Sequence, residues 1–336
     1  MAKTEERQES AADTAKRVAQ HILGHENALL AIVLIALVAG VSVITGGKTT
    51  TRVNMLNILT QSSIRGVASI GQAFVILTAG IDVSVGGIGL MVTILGAAVM
   101  TLAPDLSIVS HPFPIYAGIA IMLLAGAGFG AINGLSVSRI GMPPLIVTLA
   151  MWQISQGIGF QICGGWPLYD LPQGMLFFGE GSVAGVPVPV IIAATVTAIG
   201  YFTLNHTIFG RSVYAVGGNP VSAWLTGINV KKILFVVYII SGFLAGLTAI
   251  IFIGRTMAAS MNSCSGLELD SIAACTVGGL SLSGGKGTII GVVLGVIVIG
   301  VVNNALSILS AGPAVQALVK GAIIFGAVAV DVVRRR

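Results

Sequence analysis

The sequence predicts an all-α polytopic membrane protein of about ten transmembrane helices, and three features of the chain support this prediction. Hydrophobic residues make up 55% of the 336 residues and charged residues only 9%, with a mean hydropathy of +0.98, whereas a soluble domain is about one quarter charged. Apolar runs of about 20 residues, the length that crosses a bilayer as a helix, recur along the chain. The alternation of polar and apolar residues that is typical of a membrane β-barrel is absent.

Ten candidate spans follow from these runs: 28–46, 62–80, 86–102, 113–137, 143–160, 187–204, 233–254, 268–281, 287–309 and 314–333. Because ten is an even number, both termini are predicted to lie on one side of the membrane. Residues 1–27 mix both charge signs without an apolar core, and they are predicted to be a cytoplasmic lead that could form an amphipathic helix. They lack the apolar stretch and the small-residue cleavage site of a signal peptide.

The distribution of basic residues predicts the orientation of the chain. Twelve lysines and arginines fall on the side that holds both termini, while the other side holds four, namely Lys48, Arg52, Arg65 and Arg255. An excess of this kind is typical of the cytoplasmic side. Both termini and the loop around Arg211 are therefore predicted to be cytoplasmic. The net charge of +5 reflects this orientation and does not indicate nucleic-acid binding.

A short internal similarity indicates a two-fold plan. The segment NGLSVSRIGMP (133–143) aligns without a gap on NALSILSAGPA (304–314), and the Asn, Leu, Ser and Gly positions coincide. Five predicted helices separate the two copies, and an odd separation turns the second copy over in the membrane. The sequence therefore predicts the 5+5 inverted repeat that many transporters use. The alternative is chance similarity between two short segments that are rich in small residues.

Polar residues among the spans are the candidates for function, because ionisable side chains are costly in lipid and usually face a protein interior or a water-filled path. The segment AGIDVSVGG (79–87) places Asp82 and Ser84 among glycines that would let a helix break. Two interpretations remain open at this point. The helix breaks beside a solute pathway, or Asp82 caps an ordinary tight turn at the membrane edge.

A corresponding polar set occurs in the second half of the chain. Glu268 and Asp270 fall at the start of a short predicted helix, where acidic residues suit the positive end of the helix dipole. Lys320 lies inside the last span and is predicted to have an internal carboxylate or carbonyl partner, unless it snorkels to the interface. Three amides in or near the spans could line a lumen or hydrogen-bond one helix to another: Asn133, Asn303 and Asn304.

The sequence carries no motif for catalysis, metal binding or nucleotide binding. The stretch SLSGGKGT (281–288) resembles a phosphate loop, but Leu280 replaces the first glycine and Gly287 replaces the magnesium-binding hydroxyl residue. Cys163, Cys264 and Cys275 are too scattered for a disulfide framework or a metal cluster, and they are predicted to be packing residues. No catalytic residue, metal or cofactor is therefore predicted in this chain.

Several motifs, taken in order, resemble the permease subunits of bacterial ABC importers of the ribose and monosaccharide type. They are TAGIDVSVGG, NGLSVSRIGMPPLIVTLAM, FGRSVYAVGGNPVSAWLTGINV, LELDSIAACTVGGLSLSGGKGT and VNNALSILS with VQALVKGAIIFGAVAVDV. The resemblance runs from about Asn54 to Asp331. It implies a type II ABC importer transmembrane fold over residues 28–336, which forms a homodimer or a heterodimer in the bacterial inner membrane.

The resemblance also implies partner subunits and a class of solute. A cytoplasmic ABC ATPase would bind ATP and Mg²⁺, and a periplasmic or lipid-anchored binding protein would deliver a monosaccharide or related small polar solute. Alternative solutes are a nucleoside, a furanosyl quorum signal or a branched-chain amino acid. A rival of another class is an ion-coupled secondary transporter in which Asp82, Asp270 and Lys320 form an ion relay.

The loop from about 205 to 232 resembles the element of ABC permeases that docks on the ATPase. The resemblance implies a short coupling helix at 221–226 that follows a Gly-Gly-Asn-Pro turn. The local chemistry agrees, because Asn219 can cap a helix that starts at Pro220. The residues predicted to serve this coupling are Arg211, Gly217, Gly218, Asn219, Pro220, Ala223, Trp224 and Gly227. Trp224 departs from the small residue expected there, and the exterior loop 161–186 matches no motif of the family.

Overall fold

A computed structural model describes residues 26–334, so the predicted cytoplasmic lead 1–27 falls outside the described residues except for its last two positions. Within 26–334 the α-helices are α1 Glu26–Ile44, α2 Arg52–Leu77, α3 Ser84–Met100, α4 Ile115–Leu135, α5 Pro144–Cys163, α6 Leu176–Glu180, α7 Val188–His206, α8 Ile208–Gly218, α9 Pro220–Leu225, α10 Val230–Thr256, α11 Leu267–Val277, α12 Ile289–Ile308 and α13 Pro313–Arg334. The remaining regular elements are the 3₁₀ turns Lys48–Thr50, Pro104–Leu106 and Gln173–Met175, a π-turn Ser136–Ile140 that continues α4, and an antiparallel hairpin of β1 Ser182–Val183 and β2 Val186–Pro187.

Each of the ten predicted spans coincides with a helix, namely α1–α5, α7 and α10–α13. Two boundaries differ from the prediction by four residues or more. Helix α2 begins at Arg52, ten residues before the predicted start, because the Thr51 hydroxyl caps it by accepting from the amide of Asn54. Helix α11 ends at Val277, since the chain turns through Gly279, whose φ of +86° favours glycine. The chain is therefore a mainly helical, polytopic protein.

Five of the described helices are long and apolar enough to cross a bilayer, by length and composition. They are α4 together with its π-turn, α5, α7, α10 and α12. Shorter apolar helices of 10–17 residues lie at Ala28–Ile44, Ser84–Met100 and Pro313–Ala329. A helix that spans a bilayer needs about 20 predominantly apolar residues, and the five long helices meet this requirement.

The helix bundle has two distinct ends. Helix α9 lies at one end, which we call the α9 end, and α10 begins beside it and runs to the other end. The other end, which we call the loop end, carries the connections 101–114, 164–187 and 257–266. There the Thr101 hydroxyl donates to the Tyr169 carbonyl oxygen at 2.7 Å. Leu168 and Ala259 exchange backbone hydrogen bonds of 2.8 Å in both directions, which joins two of these connections.

Helix α10 lies at the centre of the bundle and packs closely against α4 through glycines. A Cβ atom at Gly130 would lie 3.1 Å from the Gly242 Cα atom, and one at Gly126 would lie 3.1 Å from the Gly246 Cα atom. Small residues allow helices to approach at backbone distance in a membrane, where dispersion contacts take the place of a hydrophobic driving force. The glycines of α4 and α10 therefore set the separation of two central helices.

Gly130→Ala is expected to destabilise the bundle, because the new methyl group would push α10 away from α4. A loss of about 1 to 3 kcal/mol is typical of overpacking in a closely packed interior. The matched control is Gly128→Ala on the same helix, where a Cβ atom meets nothing within 4 Å. Thermal denaturation of both variants in detergent checks the prediction. Equal melting temperatures for the two variants would contradict it.

The three cysteines lie in the interior as predicted for packing residues. Cys163, Cys264 and Cys275 are all buried and are not paired with one another. The Cys275 thiol donates to the Ser69 carbonyl oxygen at 3.3 Å and so contributes to the contact between α11 and α2.

Candidate functional site

Helix α9 forms as its sequence predicts. The side-chain oxygen of Asn219 accepts hydrogen bonds from the amides of Val221 at 2.9 Å and Ser222 at 3.0 Å, and Pro220 occupies the first helical position. Asn219 thus satisfies two amides that have no partner inside the helix. The helix ends before Gly227, whose φ is +87°. The Asn219 cap therefore fixes the start of α9, and α9 lies where the coupling helix is expected.

The prediction of a turn through Gly217 and Gly218 was wrong, because both residues belong to the last turn of α8. A Cβ atom at Gly217 would collide with the Leu77 carbonyl oxygen and would lie 2.6 Å from the Gly285 nitrogen. The Gly285 amide itself donates to Leu77 at 3.0 Å. Gly217 therefore lets α8 approach the end of α2 and the turn at 279–287, and the change of chain direction occurs at Asn219 alone.

Tyr214 provides a second link between α8 and the turn at 279–287. Its hydroxyl donates to the Gly287 carbonyl oxygen at 2.9 Å. Burial raises the pKa of Tyr214, so this phenol stays protonated at neutral pH and remains a donor. Helices α2 and α8 and the turn at 279–287 are thus connected by defined hydrogen bonds.

The side of α9 that is exposed matches the predicted contact residues except at Ala223. Trp224 is 67% exposed, and Val221 and Leu225 are also exposed. Ala223 is only 4% exposed and packs on the interior cluster beside Ile233. The prediction that Ala223 contacts a partner was therefore wrong in this respect, because the helix turns that position inward. Arg211 and Gly227 are exposed at the same end.

An open cavity lies beside this apolar face of α9. It has a volume of about 650 Å³ and is lined partly by Trp224, Ser138 and Lys231. Contiguous exposed apolar residues at the surface of a protein often mark a site of protein association. The arrangement offers an aromatic anchor next to a concave surface with one basic side chain.

The segment between α2 and α3 holds a buried polar cluster. Asp82 is fully buried, and one of its carboxylate oxygens accepts from the Ser84 amide at 2.9 Å and from the Ser84 hydroxyl at 2.5 Å. The other oxygen accepts from the Ser241 hydroxyl of α10 at 2.7 Å. The Asn133 side-chain nitrogen of α4 donates to the Ser84 hydroxyl at 2.8 Å. The connection between α2 and α3 and the helices α3, α4 and α10 therefore meet at this cluster.

Gln72 completes the buried polar cluster. With its side-chain nitrogen directed at the Asp82 carbonyl oxygen, Gln72 donates at 2.9 Å and accepts from the Asp82 amide at 3.2 Å. The helical chain thus breaks at 78–83, and the backbone groups freed by the break find protein partners, as a break at membrane depth requires. Asp82 also accepts from the amide of Ser84, the first residue of α3. The helical chain therefore breaks at this point, and the Asp82 carboxylate is buried in the bundle.

A second polar group, the charged triad, joins α2, α11 and α13. The Nε atom of Arg65 lies 2.8 Å from Asp270 Oδ2, and Lys320 Nζ lies 3.0 Å from Asp270 Oδ1. The side chain of Asp270 is 8% exposed, that of Arg65 21% and that of Lys320 31%. Lys320 therefore has an internal carboxylate partner, which favours the first of its two interpretations. Two cations share one carboxylate in a region that is mostly shielded from solvent.

The other predicted polar residues are distributed around these two groups. Asn304 exchanges two hydrogen bonds with Asn54 of α2, at 2.8 and 2.9 Å, which fits the role of bonding helices together. Asn303 is buried, and its side-chain atoms have no hydrogen-bond partner among the described residues. The Oε2 atom of Glu268 is also buried without such a partner and lies against Gly86 of α3. Asp82, Ser84 and Asn133 therefore belong to the buried polar cluster and Asp270 and Lys320 to the charged triad, whereas Asn303 and Asn304 hydrogen-bond to neither group among the described residues.

Arg65 is the member of the triad that no sequence motif marks. It was counted among the exterior basic residues, although it falls within the predicted span 62–80. The structure places it in α2, paired with Asp270, and so corrects that count. The available signal was an arginine inside a span together with a carboxylate inside another span, since intramembrane charges are usually paired.

Comparisons with known proteins identify relatives over most of the chain. The family model described as the permease component of the branched-chain amino acid transport system matches residues 54–328. The ribose import permease protein RbsC of Escherichia coli (strain K12) is 38% identical over 304 residues, which cover 89% of this chain and 92% of that protein. No solved structure matches the chain significantly.

Two further relatives from the same organism are sugar permeases by name. The D-allose transport system permease protein AlsC is 38% identical over 278 residues, which cover 83% of each chain. The galactose/methyl galactoside import permease protein MglC is 36% identical over 291 residues, which cover 83% of this chain and 86% of that protein. With its helical, polytopic fold and a family match over residues 54–328, the chain belongs to this family of transport permease components.

Proposed function

We propose that the chain is the membrane permease subunit of an ATP-driven importer that moves a monosaccharide into the cytoplasm. The observation that carries this proposal is the identity of 36–38% to permeases named for ribose, allose and galactose, over 83% or more of each chain. The description of the family model names branched-chain amino acids instead. We favour a sugar because the three relatives named above, which match most of this chain, are sugar permeases by name.

The partners follow from the same membership. An ABC ATPase would bind ATP and Mg²⁺ on the cytoplasmic side, a solute-binding protein would deliver the sugar outside, and a second permease subunit would complete the pathway. The exposed face of α9 with Trp224, Val221 and Leu225 is the docking element for the ATPase. Its support is the Asn219 cap and the open cavity beside Trp224. The chain itself performs no covalent chemistry in this proposal.

The ten helices that match the predicted spans would form two inverted halves of five. Both copies of the internal similarity lie where a helix ends and another begins with proline, at the junction of α4 and α5 and at the junction of α12 and α13. Helix α4 ends at the α9 end, where Ser138 lies in the cavity with Trp224. Helix α12 begins near that end, where Tyr214 contacts Gly287, and therefore ends at the loop end. The opposite directions of the two copies support the inverted repeat.

Two polar groups are proposed to serve the pathway in different ways. The buried cluster of Asp82, Ser84, Asn133 and Gln72 holds the break between α2 and α3 in place, so that α3 and α4 move as one body. The charged triad lies nearer the loop end, where a solute would enter. Asn304 connects α12 to α2 through Asn54.

Reconstitution tests the proposed function directly. Purified chain is incorporated in liposomes with a cognate ABC ATPase and solute-binding protein, and uptake of D-ribose, D-allose and D-galactose is measured. The proposal expects uptake of at least one sugar that requires both partners and ATP. Uptake by the chain alone, driven by a proton or sodium gradient, would instead establish the secondary-transporter alternative.

The orientation of the chain is tested by cysteine labelling in intact cells. With the α9 end in the cytoplasm, Ser222→Cys is expected to be protected from an impermeant maleimide added outside, while Gln173→Cys at the loop end reacts. Both positions are exposed, so accessibility within the protein does not decide the result. The unsubstituted chain, whose three cysteines are buried, is the blank. Labelling of Ser222→Cys without Gln173→Cys would reverse the topology.

A further inference from the structure

A cavity of about 290 Å³ opens beside the charged triad. We propose that this cavity is a transit site in which the permease itself holds one monosaccharide ring during its passage, an inference that rests on the proposed sugar import. Besides the triad, the lining includes Gln61, Phe252, Arg255, Asn262 and Ser265. The volume is at the small end of the range for small-molecule sites, which suits a single ring.

The cavity lies within the bundle because the connection 257–266 folds back into it. The Cys264 sulfur lies 3.8 Å from the Thr93 hydroxyl of α3. Thr93 is seven residues before the end of α3 at Met100, which corresponds to roughly 10 Å along the helix. Helix α11 therefore starts in the interior, after Gly266 with a φ of +75°. Short helices that start at depth and direct their N-termini at a cavity are a common construction of solute sites in transporters.

The cavity carries hydrogen-bonding groups that the protein leaves unused. The Nη1 atom of Arg65 is buried without a hydrogen bond to any described residue. The side chain of Arg255 forms neither an ion pair nor a hydrogen bond with the residues between 26 and 334 that the structure describes. A buried donor without a partner is costly, which favours a ligand that supplies acceptors. Arginine presents its donors in a fixed planar arrangement, which suits directional recognition.

The chemistry of the lining fits a neutral polyol. Each sugar hydroxyl can both donate and accept, so it can donate to the Asp270 carboxylate or to an amide oxygen of Gln61 or Asn262 while it accepts from Arg65 or Arg255. Phe252 offers an apolar surface to the C–H face of a sugar ring. Three cations against one carboxylate give the lining an excess of positive charge, so a cationic amino sugar would be repelled.

Protection from alkylation tests occupancy of the cavity. Ser265 is exposed and lines the cavity, so Ser265→Cys is expected to react with a small methanethiosulfonate reagent in the purified, reconstituted chain. The sugar that the complete importer transports is expected to slow this reaction, whereas sucrose is not, because two rings exceed the cavity. Gln173→Cys lies outside the cavity and is the matched control, which no sugar should protect. An unprotected Ser265→Cys would overturn the transit site.

Transport by the complete importer gives a second measurement. Arg255→Gln and Asn262→Ala are expected to reduce the amount of sugar that is moved per ATP hydrolysed. For Arg255→Gln the expected reduction is about tenfold, which corresponds to the loss of one hydrogen bond to a charged group. Co-purification of the ATPase should not change, since both residues lie at the loop end. Parental transport by both variants would overturn the inference. Absence of uptake by the unmodified importer would instead count against the proposed function.

Discussion

Asp270→Asn is expected to cause a large loss of stable protein, because it removes the carboxylate of the charged triad. Asp270 is the acidic partner of both Arg65 and Lys320, so its neutralisation leaves two cations without a counter-charge. Breaking a fully buried ion pair costs about 3 to 5 kcal/mol. Because Arg65 and Lys320 keep some solvent exposure, we expect about 2 kcal/mol here. The melting temperature and the yield of monodisperse protein in detergent measure the effect.

Lys320→Met separates the charge effect from a simple loss of packing. This single substitution leaves Arg65 and Asp270 as a neutral pair, so it is expected to cost less than Asp270→Asn. Adding Lys320→Met to Asp270→Asn should recover part of the lost stability, because it removes one uncompensated cation. Such non-additivity is the mark of direct coupling between two residues.

Asp105→Asn is the matched control for this series. Asp105 is exposed in the connection after α3, and the substitution is expected to change stability by no more than about 0.5 kcal/mol. Purely additive effects of Asp270→Asn and Lys320→Met would contradict the role of the triad.

Trp224→Ala is expected to detach the ATPase while the permease remains folded. Trp224 is 67% exposed on α9, so truncation removes no interior packing. Exposed tryptophans that become buried at an interface often contribute about 2 kcal/mol or more to binding, which corresponds to roughly a thirtyfold weaker complex. Leu225→Glu should have a stronger effect, because it places an unpaired carboxylate in the contact. Co-purification of the ATPase and ATP-driven uptake are measured in one preparation.

Trp166→Ala is the control for the α9 surface. Trp166 is an equally large, exposed side chain, but it lies at the loop end. Its truncation is expected to leave ATPase co-purification unchanged. Ala223→Glu is not a suitable test, since Ala223 is buried and the substitution would disrupt the chain itself. Full ATPase binding and transport by Leu225→Glu would show that α9 is an ordinary connection.

The sequence by itself determined the properties that depend on local composition. The membrane class follows from apolar runs of spanning length, which are encoded in consecutive residues, and five of the described helices have that length and composition. The start of α9 at Pro220 was also predictable, since a cap joins Asn219 to amides two and three residues away. The family resemblance rested on motifs in order, and the comparisons confirmed it.

Only the tertiary structure decided which distant residues meet and which way each one faces. Arg65 and Asp270 are 205 residues apart, and Asp82 and Ser241 are 159 apart, so no local spacing relates them. Ala223 and Trp224 are neighbours on a six-residue helix, yet one is buried and the other exposed, because the contact with the bundle selects the face. Gly217 looked like a turn residue, but the approach of the Leu77 carbonyl oxygen makes it a packing residue. Local chemistry specifies helices and their ends, whereas pairing and burial depend on how all the helices pack together.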